Sequence, residues 1–354
     1  MRNSDKQPNQ KRDTRRDTAD SPQSRRQFLR ALGAGAAGVG ILGAHSVWAG
    51  GRQLAAENGG HETGTGNSPD GPVAPMPLRK LGRTGVEVAP FSLGGEATVQ
   101  QRTRQAEAVR IVNRALDLGV NYIDTSPTYG GGGSETNIGL VMADRREEAF
   151  LATKTHDRSY DGTMRLIEQS LQRLKTDRID LYQIHNVRTE SDVRQAFSER
   201  GAVKALEQLR DDGVIRFTGI TGHRDPNVLL RAIQNYRFDC LLMTLNAADV
   251  HYRPFQKELL QEALRQDLGI IAMKVTAVGR IFRDDGITSM EQALGYTLSF
   301  PVSTAIVGIS SVRELEEDVA IAARARPLPS EELAAIEALS RAYADDRNFF
   351  KHRW

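Results

Sequence analysis

Asp124, Tyr129, Lys154 and His185 are of types that can hold and pass a proton among themselves, and each stands at or just past the end of an apolar run. Asp124 lies in the run 122–125, and Tyr129 follows it in Thr125-Ser126-Pro127-Thr128-Tyr129-Gly130. Lys154 ends the run 150–154, and His185 ends Leu181-Tyr182-Gln183-Ile184-His185. A free phenol has a pKa near 10 and is a weak proton donor at neutral pH. A lysine ammonium beside it favours the phenolate and lowers that value, and an aspartate holds the lysine charged and in place. The outcome is a tuned general acid, and the imidazole can donate a hydrogen bond that orients a carbonyl oxygen. Such a set suits hydride addition to a carbonyl with Tyr129 protonating the oxygen, or the reverse oxidation. Singly, each residue has a plainer reading as a turn residue, a solvated amine or a structural imidazole. The chemistry rests on all four falling at successive run ends.

The elements that must position them follow from hydrophobic periodicity. Apolar runs at 91–95, 122–125, 150–154, 179–185, 215–221, 241–246, 270–274 and 304–309 alternate with helical spacing near 104–118, 134–144, 162–174, 202–212, 226–236, 254–267, 288–299 and 312–324. Ala108, Ile111, Val112, Ala115 and Leu118, for example, recur every three or four residues and share one helix face. Eight strand–helix units joined by short connections predict an α/β fold, a (β/α)₈ TIM barrel of parallel strands. A short β-hairpin over 78–88 precedes it, and an extra helix near 330–343 follows. In such a barrel, chemistry belongs at the C-terminal ends of the strands, where the four residues fall.

With these motifs in place, the chain resembles the aldo/keto reductase superfamily. The matching stretches are Arg79-Lys80-Leu81-Gly82-Arg83-Thr84-Gly85, Gly119-Val120-Asn121-Tyr122-Ile123-Asp124 running on to Gly130, Ala152-Thr153-Lys154-Thr155, the run ending at His185, and Thr304-Ala305-Ile306-Val307-Gly308. The resemblance implies a barrel closed at its base by the hairpin and an oxidoreductase that reduces aldehydes or ketones with NADPH, less often NADH. It implies Tyr129 as general acid/base, Asp124 and Lys154 as its tuners, and His185 as the group that orients the substrate. NADP(H) is favoured over NAD(H), and no metal is expected. The implied cofactor contacts are Gly95; Thr221 and Gly222 after the fifth strand; Asn246; Met273 and Lys274; Arg280; Gly308, Ser310 and Ser311 after the eighth strand; and Glu317 and Asp318 in the helix that follows. The start of that helix offers backbone N–H groups to a phosphate. The Arg or Lys that many members carry near Ser310 is absent, and Lys274 or Arg280 is expected to compensate.

Composition narrows the rest. Of 354 residues, 39% are hydrophobic and 26% charged, as in ordinary globular proteins. Residues 1–30 hold nine Lys/Arg and four Asp/Glu, so the remaining chain is mildly acidic and no nucleic-acid-binding face is expected. The single cysteine, Cys240, excludes an internal disulfide, a CxxC pair and an iron–sulfur cluster. Arg25-Arg26 with Phe28-Leu29, an uncharged Gly/Ala-rich stretch over 31–49 and the small residue Ala49 have the layout of a signal peptide and resemble a twin-arginine export signal. The expected organisation is a signal peptide at 1–49, a flexible linker at 50–76 and a barrel at 77–354. The implied partners are the export machinery and a small carbonyl substrate. The implied destination is the periplasm or the outside, and no stable membrane span is expected.

Three rival readings remain at this level. A barrel without catalysis would use the same fold to bind a nucleotide or dock a partner. A metal-dependent hydrolase would bring His156, His185 and His223 together on a zinc, against which stands Lys154 beside the metal. A Schiff-base lyase would use Lys154 or Lys274 as its amine.

Overall fold

Two short antiparallel strands, β1 (Arg79–Lys80) and β2 (Glu87–Val88), open the described part of the chain, which in this computed structural model comprises residues 76–352. Eight parallel strands follow: β3 (Phe91–Gly94), β4 (Tyr122–Asp124), β5 (Phe150–Thr155), β6 (Ile179–Ile184), β7 (Ile215–Gly222), β8 (Cys240–Thr244), β9 (Gly269–Met273) and β10 (Thr304–Gly308). They close in the order β10-β3-β4-β5-β6-β7-β8-β9, with helices between successive strands. All eight expected runs are strands, and the fold is the (β/α)₈ barrel. The signal-like stretch and all but the last residue of the linker lie outside the described residues.

The strands read as unbroken apolar runs because both their faces are covered. All six residues of β5 and all six of β6 are buried. Inside the barrel, Leu81, Val88, Tyr122, Phe150, Leu181, Cys240 and Ile271 form a plug below the site. Leu81 and Val88 come from the hairpin, which therefore closes the base. Gly82 makes that closure possible: its φ is +48°, and a Cβ there would lie 2.4 Å from the backbone nitrogen of Gly269. Outside the strands, faces such as Ala108, Ile111, Val112 and Ala115 of the helix Gln105–Asp117 bury against the sheet.

Two local features were not expected from periodicity. The helix Glu190–Ala196 follows β6 and is too short to show a period; its start is fixed by a capping box between Thr189 and Asp192. At the C-terminus, where both a cover over the pocket and packing on the exterior were open, the short helix Phe349–His352 docks beside the barrel mouth. Phe350 is fully buried and its carbonyl accepts from Nδ1 of His223 at 3.3 Å. Lys351, also buried, pairs with Asp249 and donates to the carbonyls of Asp249, Tyr252 and Arg253. Among the described residues no helix is long and apolar enough to cross a membrane.

Candidate active site

The C-terminal ends of the strands open into one cavity of about 1150 Å³. Asp124, Tyr129, Lys154 and His185 all line it. Strand pleating sets their aim, since Asp124 ends β4 and Lys154, the last residue but one of neighbouring β5, follows on the same face with both side chains buried. Lys154 Nζ donates to Asp124 Oδ2 at 2.5 Å, to the Thr125 carbonyl at 2.7 Å and to the Tyr129 hydroxyl at 3.3 Å. Tyr129 reaches that point on a tight turn over Tyr129–Gly132, in which Gly130 and Gly131 both take φ of +58°. Its ring lies edge-on to His185 at 5.9 Å between centroids. His185 Nδ1 is 3.4 Å from the Ser126 hydroxyl.

Electrostatics corrects one expectation. Burial, with Asp124 and Glu96 acting in the same direction, pushes the Tyr129 phenol well above its ordinary range, where a lowered value was expected. The reason is the closed setting of the phenol, where loss of water disfavours the phenolate and two carboxylates add to the effect. Tyr129 is therefore a held proton donor. Burial also raises the Asp124 carboxyl, opposed by Lys154 and by the nearby Gln183 amide. Burial first, then Lys154 and His223, drives His185 well below the usual imidazole value, so the ring is neutral at pH 7.

The residues expected to hold a cofactor divide. Gly95, Thr221, Met273, Lys274, Gly308, Ser310, Glu317 and Asp318 line the cavity. Gly222, Asn246, Arg280 and Ser311 do not. Gly222 is glycine because a Cβ would meet the Val187 carbonyl at 2.6 Å. Asn246 is spent internally, donating to the Lys274 carbonyl and accepting from the N–H groups of Ala248 and Asp249. Arg280 stacks on Phe349 at 4.2 Å. Ser311 caps the helix Val312–Arg324, its Oγ accepting from the Glu314 N–H. The Ser310 N–H donates to Glu314 Oε2 at 2.7 Å, so a carboxylate sits where an anion was expected. Asp318, buried beside Glu314 and Glu317, has its carboxyl pushed up to about 7.

Sequence reasoning missed four charged contributors. Glu96 lies 3.6 Å from Lys274 Nζ. Arg104 donates to the Ser310 carbonyl at 3.3 Å and to the Thr98 hydroxyl at 2.9 Å. Arg158 and Arg188 line the cavity from the loops after β5 and β6. The rule that pointed to Lys154 and His185 applied to these loops as well, but a loop arginine reads as solvated until the barrel closes around it. Among the described residues no group of three or more His, Cys, Asp or Glu is arranged to hold a metal.

A closed parallel barrel with an ionisable cluster at its C-terminal mouth defines a class of enzyme, and comparison with known proteins narrows it. A model described as the aldo/keto reductase family matches residues 90–285, more than half of the chain, and the chain belongs to that family. It is 28% identical over 305 residues to the uncharacterized oxidoreductase YqkF of Bacillus subtilis, covering 74% of this chain and 96% of that protein. It is 27% identical to the L-galactose dehydrogenase of Arabidopsis thaliana, over 74% and 93% of the two chains. A solved aldo-keto reductase of Bacillus halodurans, in its holo form, superposes with a TM-score of 0.64 at 26% identity, covering 75% of this chain and 96% of that one. The protein is thus an NAD(P)(H)-dependent oxidoreductase acting on a carbonyl or its alcohol.

The neutral state of His223 gives a test by pH. Burial, with Lys274 adding to it, lowers its pKa to about 3, against about 6.5 in an unfolded chain. Below pH 6.5 the unfolded state binds a proton that the folded state refuses. Stability is therefore lost as pH falls from 6.5 toward 3, by about 1.4 kcal/mol per pH unit for that one group. In His223→Gln, stability measured by urea denaturation between pH 7 and 4.5 should fall less steeply than in the wild type by about one proton. Parallel curves would contradict a neutral His223.

Proposed function

We propose that Tyr129 is the proton donor in reduction of an aldehyde or ketone, with Lys154 and Asp124 positioning it and His185 orienting the carbonyl. The observation that carries this is the buried chain Asp124–Lys154–Tyr129, with contacts of 2.5 and 3.3 Å. A bound nicotinamide supplies the hydride to the carbonyl carbon. Tyr129 gives its hydroxyl proton to the carbonyl oxygen, and Lys154, balanced by Asp124, steadies the phenolate that is left. With Ser126 donating to Nδ1, neutral His185 keeps its proton on Nε2 and can offer it to the same oxygen. Burial holds Tyr129 protonated, as reduction requires, and the alcohol oxidation uses the same groups in reverse. Binding without catalysis has nothing in its favour here, since it would leave this buried charge pair without a use.

The donor set fits a dinucleotide. The cavity is at the size needed for one, and Ser310, Thr221 and Lys274 offer polar contacts along it. We propose NADP(H) as the cofactor, with Arg104 as the cation that stands near Ser310 in place of the one absent from the sequence motif. Glu314 must then rotate off the Ser310 N–H to admit a phosphate. We further propose that residues 24–49 direct export of the folded protein to the periplasm or beyond by the twin-arginine route.

A pair of variants separates chemistry from binding. Tyr129→Phe should lose about 10²–10⁴ in kcat on an activated aldehyde such as 4-nitrobenzaldehyde, with its NADPH dissociation constant, followed by fluorescence, within twofold of wild type. Arg104→Ala should weaken NADPH about tenfold and leave NADH nearly unaffected. Full turnover by the phenylalanine variant would remove Tyr129 from its role, and equal losses for both nucleotides would remove Arg104. For export, the full chain should reach the periplasmic fraction of a bacterium with a working twin-arginine system, and Arg25→Lys/Arg26→Lys should stay in the cytoplasm. Unchanged distribution of the variant would overturn that route.

A further inference from the structure

The charges around the cavity are segregated, and the barrel order says how. Strands β6 and β10 are four places apart in a ring of eight and so face each other across the mouth. On the β10 side stand Glu314, Glu317 and Asp318. On the side of β5, β6 and β7 stand Arg158, Arg188, His185 and His223. Most of the cations on the cavity wall have a carboxylate of their own: Lys154 has Asp124, Arg158 has Asp192 at 3.3 Å, and Lys274 has Glu96.

Arg188 is different. Its backbone N–H donates to Asp192 Oδ2, but among the described residues no carboxylate lies within ion-pair distance of its guanidinium. The group it does meet is neutral: with the Asn186 amide oriented so that donors face acceptors, its oxygen accepts from Nε at 3.1 Å and from Nη2 at 2.9 Å. Asn186 is placed for this by a left-handed backbone, φ +52°, which asparagine tolerates better than most residues. The amide fixes the plane of the guanidinium without cancelling its charge. The neighbouring imidazoles give no compensation, since burial keeps both His185 and His223 neutral. A guanidinium of fixed orientation and uncancelled charge, on a cavity wall, has the geometry of a receptor for a planar or tetrahedral oxyanion.

We propose that the physiological substrate carries an anionic group, a carboxylate or a phosphate, and that Arg188 receives it on the β6 side of the mouth while the carbonyl lies at Tyr129 and His185. This rests on the reductase reading and adds its substrate class. Because Arg188 is only three residues beyond His185, one loop carries both the residue that orients the carbonyl and the residue that anchors the far end.

Two probes of equal reach test it: 4-formylbenzoate and its methyl ester, which differ in charge with the aldehyde left para to a carbonyl carbon in both. Wild type should favour the anion in kcat/KM by about tenfold or more. Arg188→Gln should bring the ratio close to one, and Arg188→Lys should restore part of it. Equal use of both probes by wild type, or a preference that survives in Arg188→Gln, would overturn the proposal. If wild type reduces neither probe, the reductase reading is what fails. The anion site is then judged by calorimetry with terephthalate: binding that is lost in Arg188→Gln upholds it, and binding equal in both proteins, or absent from wild type, overturns it.

Discussion

A lysine ammonium buried at the top of a barrel is tolerable only with a counter-charge in contact, and the structure around the site is organised to meet that condition. Lys154 and Asp124 have side chains exposed by 1% and 3%. Either alone would be an uncompensated charge in an apolar surround, a costly state. Neighbouring strands bring them together, because β4 and β5 pair with Asp124 level with Ala152 and Lys154 two residues further along on the same face. The pair in turn fixes the phenol of Tyr129, and the glycine turn that follows Tyr129 is what lets the chain double back to reach it. The hairpin plug at the base keeps water from entering at the other end of the barrel.

The same constraint explains why the site is electrically lopsided. Lys154 is neutralised locally, so the field at the mouth is set by the loops. Those after β5 to β7 carry arginines and neutral imidazoles, and the segment after β10 carries carboxylates. A closed ring of eight strands turns that difference along the sequence into opposite walls of one cavity. The C-terminal helix completes the basic side by packing Phe350 against His223, with the buried Lys351–Asp249 pair as its tether.

The barrel was legible because fully covered strands must be apolar throughout, so the runs at 150–154 and 179–185 stand out without any need for alternation. The catalytic set was legible because parallel strands put their C-terminal ends at one mouth, which turns positions in sequence into neighbours in space. Other features depend on contacts that no spacing encodes. Asn246 looked like a cofactor ligand by position, yet it satisfies a loop. Glu314 gave no signal in the sequence, yet its carboxylate holds the Ser310 N–H. Lys351, close to the end of the chain, reads as solvated and is buried. The direction of the Tyr129 shift was also out of reach, since it depends on how fully the closed barrel buries the phenol.

The central claim is that Lys154, held by Asp124, makes Tyr129 an effective proton donor. Its most direct measurement is kcat for 4-nitrobenzaldehyde with saturating NADPH in Lys154→Met, with folding verified by circular dichroism. The account predicts a loss of about 10² or more in kcat, with the dissociation constant for NADPH little changed. A folded Lys154→Met protein that keeps wild-type kcat would contradict it.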